Sequence, residues 1–228
     1  MRKIFLSVVA AIALLGCSKE IPVCLDHPLE VDLPSDVEFD SDALLYVNIS
    51  EDAADFSALV RYVLERKPDV LLAQAVEADK DALVSAVREC GLDFSVSSNP
   101  CDGKVAVIAS DEKMEDSSLG NGWAAASFTC CSVVVGQDSG TIMEDTSGYD
   151  DRIFFLESAS DPSEKFYRKT FCNFIAAQWG GMMPTSSTSL TDYVFARPSQ
   201  WSRAGAVSID RNSEWKHCPI SFTIKKEL

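Results

Sequence analysis

The chain has 228 residues, 46% of them hydrophobic, and carries 35 acidic side chains against 20 basic ones, a formal charge of −15. That length and apolar content support one sizeable domain with short extensions. So acidic a chain lacks the basic face that displaces counterions from a nucleic-acid backbone, and no nucleic-acid partner is expected.

In chain order, the first signal is N-terminal. Arg2-Lys3 precedes the apolar run Ile4–Leu15, which is too short to span a bilayer and closes in Leu14-Leu15-Gly16-Cys17. This ending resembles the lipobox of bacterial lipoproteins. The resemblance implies a signal peptide over 1–16 and a lipidated Cys17 as the mature N-terminus, holding an exported protein on the membrane surface of the cell envelope. Ser18, rather than Asp, follows the cysteine and tilts the expected sorting towards an outer membrane. Residues 17–42 contain Pro22, Pro28 and Pro34 among acids and read as a tether. From Asp26 to Asp55 there are ten carboxylates and no Lys or Arg, the pattern of a solvated segment.

The domain is expected to span 43–228. It opens with a strand, Ala43–Ile49. A helix over 53–66 follows, with Phe56, Leu59, Val60, Val63 and Leu64 on one face and Pro68 as its stop. Asp69–Val76 is a second buried strand, so 43–76 reads as a βαβ unit. A helix over 79–90 is capped by Gly91, an edge strand is expected at 94–97, and a clear strand at 104–109 follows the turn 99–103. The polar stretches 112–122 and 136–151 read as loops around one or two strands in 123–135. Ile153–Leu156 is a strand. Asp161-Pro162-Ser163-Glu164 carries the N-cap, first-turn proline and acidic third position of a helix start, predicting a helix over 166–179 closed by Gly180-Gly181. Strands are expected at 192–196, 204–210 and 219–224, and no internal repeat is visible.

Beyond Cys17 the chain has Cys24, Cys90, Cys101, Cys130, Cys131, Cys172 and Cys218, an odd number in a compartment that permits disulfides. The short loop between Cys90 and Cys101 makes that pair the expected bridge. Cys130 and Cys131 would point to opposite faces of a strand. Neither the cysteines nor the only histidines, His27 and His217, have zinc-site spacing.

The order of the pieces carries a second resemblance. A strand bearing Asn48, a strand Pro-Asp-Val-x-x-x-Gln ending at Gln74, the strand Val105–Ser110, a strand running into Asp161-Pro162-Ser163, the strand Asp192-Tyr193-Val194-Phe195, and a last loop with His217 follow one another. This resembles the endonuclease/exonuclease/phosphatase superfamily of metal-dependent phosphodiesterases, across about residues 43–226. The resemblance implies an α/β fold of two packed β-sheets flanked by helices, a four-layer sandwich, with phosphoester hydrolysis assisted by Mg²⁺ or a similar cation.

Three inherited catalytic positions match: Asn48, Asp192 and His217, with Asp192 expected to orient the His217 ring. Others are lost. Ala75 stands for a metal-binding Glu, Ser158 and Ser160 for an Asp and an Asn, and Lys216 for an Asp. Glu157 is the one conceivable displaced ligand, with Asn48 beside it, yet it lies one place from the missing Asp and so on the opposite strand face. Losing several preorganised groups, each worth about 100-fold or more in rate, implies an inactive relative that binds or assembles and needs no cofactor. The alternative is an active Mg²⁺-dependent phosphodiesterase or phosphatase with a rearranged metal site, so enzymatic status stays open. Lys216 is either an electrostatic stand-in for the metal or, as is usual for a lysine on a polar loop, a solvated side chain. The partner and ligand are not legible beyond the lipid anchor.

Overall fold

A computed structural model describes residues 41–52, 55–138, 140–149, 151–173, 175, 185–186, 191–201, 203–205 and 207–226. The expected signal peptide, all but the end of the tether, and most of the second half of the helix expected at 166–179 lie outside these residues.

Two six-stranded sheets form the molecule. Sheet I contains β1 (Ser41–Asn48), β2 (Val70–Val76), β3 (Phe94–Ser97), β4 (Lys104–Ser110), β11 (Ser208–Ile209) and β12 (Ile220–Lys225), in the order β11-β12-β1-β2-β4-β3. Sheet II contains β5 (Asp116–Gly120), β6 (Trp123–Ser127), β7 (Ser132–Gln137), β8 (Arg152–Glu157), β9 (Cys172–Asn173) and β10 (Asp192–Ala196), in the order β5-β6-β7-β8-β10-β9. Each sheet has one parallel pair, β1 with β2 and β7 with β8, and antiparallel neighbours on both sides. The sheets therefore share one strand pattern although the sequence shows no repeat.

Alternation along the strands sorts the core into three layers. Between the sheets lie Leu44, Tyr46, Leu72, Ala106 and Ile108 against Val133, Val135, Ile153, Phe155 and Val194. The outer face of sheet I, including Leu45, Val47, Ala73, Ala75 and Val105, is covered by α1 (Phe56–Arg66) and α2 (Lys80–Glu89) through Leu59, Val63, Leu83 and Val87. The outer face of sheet II is covered by α3 (Ile142–Asp145) and α4 (Ser163–Tyr167), where Phe154 and Phe195 meet Phe166 and Phe171. A last turn, α5 (Pro198–Trp201), follows β10. This is the expected four-layer arrangement.

Local chemistry sets the boundaries. Asp55 caps α1 by accepting from the Ala58 N–H at 3.1 Å, and Lys67 leaves the helix at φ 49° before Pro68. Gly91, at φ 85°, closes α2 as expected. Three expectations change. The polar stretch 112–122 contains β5, an edge strand with solvent access that has no need of an apolar alternation. The helix expected from 166 to 179 ends after one and a half turns, because Thr170 turns the chain at φ 65° and sends Cys172-Asn173 into sheet II. The strand expected at 204–210 pairs regularly only at Ser208–Ile209.

The disulfide expectation is corrected too: Cys90 and Cys101 are both free. β3 lies between them in sequence and carries the chain from the Ser110 end of β4 towards the other end of the sheet, which separates the two thiols. Cys130 and Cys131 sit in the β6–β7 turn rather than on a strand. Both are buried in the inter-sheet core, and the Cys130 thiol donates to Cys131 Sγ at 3.3 Å. Cys172 is disulfide-bonded.

Candidate functional site

At one end of the inter-sheet layer the apolar rows stop and polar residues take the last inward-facing positions. Asn48 follows Leu44 and Tyr46 on β1; Gln74 follows Leu72 on β2; Glu157 follows Ile153 and Phe155 on β8. Asp192 opens β10 opposite Glu157, Lys104 opens β4 ahead of Ala106, and Asn48 pairs in register with Gln74. The period of two thus gathers these side chains at the ends of five strands.

Asn48, Asp192 and His217, predicted from widely separated places, are brought together. Asp192 is wholly buried, and its carboxylate accepts four hydrogen bonds. Tyr46 Oη donates to Oδ1 at 2.8 Å and Asn48 Nδ2 to the same atom at 3.1 Å. His217 Nδ1 donates to Oδ2 at 2.7 Å, and Thr191 Oγ1 donates to the same oxygen at 3.0 Å. The backbone N–H of Asp192 donates to Thr185 Oγ1 at 2.9 Å. With Nδ1 committed to Asp192, the contacts assign the tautomer that leaves Nε2 turned to Glu51 Oε1, 3.8 Å away. Burial works against charge on His217, but the Asp192 hydrogen bond and the charges of Asp192, Glu157 and Glu51 outweigh it and raise its pKa above the ordinary value. Tyr46 is held far above the usual phenol range, first by burial and then by Asp192 and Glu157, so it remains a donor. Gln74 Nε2 steadies it by donating to Tyr46 Oη at 2.8 Å and to the Gly136 carbonyl at 3.3 Å.

The substituted positions fall differently from expectation. Ala75 lies in the outer layer beneath α1 and α2, not in the cleft, where β2 presents Gln74. Ser158 Oγ donates to the Ser160 carbonyl at 2.7 Å. Glu157 was expected on the opposite face, but it stands two residues after Phe155 and so faces the cleft, where Ser50 Oγ lies 3.5 Å from its Oε2. Lys216 is not in the cleft: its ammonium donates to the Glu51 carbonyl at 2.5 Å from an exposed position. The cation in the cleft is Lys104, whose Nζ lies 2.5 Å from Glu157 Oε1. Sequence reading missed Lys104, Tyr46, Thr191 and Glu51, and used Gln74 as a motif marker without giving it a place in the site; the parity of the inward rows would have found Lys104, Tyr46 and Gln74.

Among the described residues, Glu51, Glu157 and His217 bring ligand atoms within 4.8 Å of one another. Two carboxylates and an imidazole suit a borderline cation such as Zn²⁺ better than Mg²⁺, which takes mostly oxygen. The fit to Mg²⁺ is poor on the remaining donors as well. The Asn48 amide oxygen already accepts the Ser50 N–H at 3.0 Å, and Glu157 is neutralised by Lys104.

No family model matches the sequence, and no curated protein sequence does. Solved structures do. The chain is similar to a 3′ phosphatase from Neisseria bound to product DNA hairpin, at TM-score 0.63 and 14% identity over 81% of this chain and 99% of that one. It is also similar to an AP endonuclease from Archaeoglobus fulgidus, at TM-score 0.62 and 14% identity over 80% and 98%. The endonuclease domain of TRAS1, a telomere-specific non-LTR retrotransposon, matches at TM-score 0.61 and 14% identity over 83% and 100%. The chain has the endonuclease/exonuclease/phosphatase fold, as the order of its motifs implied.

Proposed function

We propose that this chain is an exported lipoprotein whose endonuclease/exonuclease/phosphatase fold serves binding or assembly and does not cut phosphoesters. The observation that carries the reading is the Lys104–Glu157 contact of 2.5 Å in the cleft. The cleft carboxylate on β8 is matched to an ammonium of the same chain, and the amide of Asn48 is spent on Asp192 and Ser50. The carboxylates of Glu51 and Glu157, on a chain of net charge −15, also disfavour DNA such as the product hairpin bound to one structural neighbour. The Asp192–His217 pair then serves as a buried polar tie between β10 and the loop before β12.

A second reading is favoured by one observation, the convergence of Glu51, Glu157 and His217: a hydrolase with a rebuilt metal site. Release of nitrophenol from bis(4-nitrophenyl) phosphate with Mg²⁺, Mn²⁺ or Ca²⁺ separates the two. No turnover above the metal-only blank is expected. Turnover that His217→Ala abolishes would establish the second reading and end the first.

A further inference from the structure

Lys104 is not a loose surface lysine that happens to reach Glu157. It opens β4 directly after the two-residue turn Asp102-Gly103, whose φ values of 48° and 73° suit a tight hairpin. The turn is closed in both directions, Cys101 N–H to the Lys104 carbonyl at 3.0 Å and Lys104 N–H to the Cys101 carbonyl at 2.9 Å. It is docked from two sides. The Glu77 N–H reaches the Gly103 carbonyl at 2.7 Å, and Cys101 packs so closely on Gly122 that a Cβ there would meet the Cys101 Cβ at 2.8 Å. Lys104 thus starts from a fixed backbone and points along the inward row of β4. Its side chain is 23% exposed and that of Glu157 13%.

The same Glu157 belongs to the Glu51–Glu157–His217 group. A carboxylate that holds an ammonium at 2.5 Å has its charge matched, and a divalent ion arriving beside it must displace or repel that ammonium. We infer that Lys104 is a tethered counter-ion that excludes a divalent cation from Glu157, and that its removal uncovers a three-ligand site for a transition metal such as Zn²⁺ or Mn²⁺. The inference rests on the non-hydrolytic reading above and names the residue that enforces it. It also assigns discrimination to Lys104 and not to the missing carboxylate at 75, whose position faces the α1–α2 layer.

The test is metal binding by the full-length chain, measured by calorimetry with Zn²⁺ and with Mn²⁺ alone. Lys104→Met is expected to bind about 10- to 100-fold more tightly than wild type, the range over which groups that support metal ligands act. Lys104→Met/Glu157→Gln is expected to lose that gain, which separates this site from adventitious binding to cysteines or to His27. Lys104→Gln keeps a hydrogen-bond donor near Glu157 without the charge; it reports the same gain if the Met variant folds poorly, and a thermal melt with and without Zn²⁺ checks folding for each. Equal affinity in wild type and both single variants, or a gain that survives in the double variant, overturns the inference. Turnover by the wild type would instead overturn the functional reading, so the two fail separately.

Discussion

At the scale of the residue, Asp192 explains why a buried charge is retained. Its four donors come from β1, from its neighbour Thr191 and from the last loop, so one carboxylate fastens β1 and the last loop to the start of β10. His217 is the titratable partner. Its pKa in the fold stands above the unfolded value of about 6.5, so the folded state binds its proton more tightly than the unfolded state. That contribution is complete below the unfolded value and is lost as pH rises through the raised one. The urea midpoint of wild type should exceed that of His217→Asn by more at about pH 5.5 than at about pH 8.5. A margin that is flat or grows with pH contradicts this. The site was legible in the sequence as far as Asn48, Asp192 and His217, because those residue types came in a recognisable order. Glu157 was placed on the wrong face because its parity was counted from a motif; counted from Ile153 and Phe155 on its own strand, it faces inward.

At the scale of the element, strands with a core row and an apolar outer row could be read directly: β1, β2, β4, β8 and β10 stand within two residues of expectation. Elements whose pattern is set by solvent or by a neighbour could not. β5 is polar because it lies at an edge, and α4 is cut short by one left-handed Thr that no composition signal marks. The β6–β7 pairing adds a requirement invisible in the sequence. A Cβ on Gly136 would meet the Gly122 carbonyl oxygen at 2.2 Å, and Gly136 also offers its own carbonyl to Gln74. Gly136→Ala should therefore cost about 1–3 kcal/mol, as overpacking against fixed backbone does. Equilibrium urea unfolding measures it, and a change below about 0.5 kcal/mol, the size of an ordinary surface substitution, would mean that the β6 end moves aside freely.

At the scale of the whole molecule, the expected lipid anchor and the described domain meet at β1, which starts at Ser41. If Cys17 carries the acyl chains, Cys17→Ser should abolish incorporation of labelled palmitate and move the protein from the membrane to the soluble fraction. Retention of label in the variant would refute the lipobox reading and leave the fold untouched. The two-sheet architecture was legible because the motif order spans the whole domain, whereas the shared strand pattern of the sheets was not. It is made by pairing across the chain, with β12 and β11 completing a sheet that β1 to β4 begin.

That arrangement bears on how the protein is made. β12 is hydrogen-bonded between β1 and β11, so the first sheet keeps an open edge at β1 until residues 220–225 have emerged. The loop that supplies His217 to Asp192 arrives just before them. A nascent chain that has not yet reached His217 can close neither sheet I nor the buried Asp192 tie, and pairings so distant in sequence form slowly. For the exported lipoprotein proposed above, sheet I would stay open, and the chain pliable, until β12 pairs with β1.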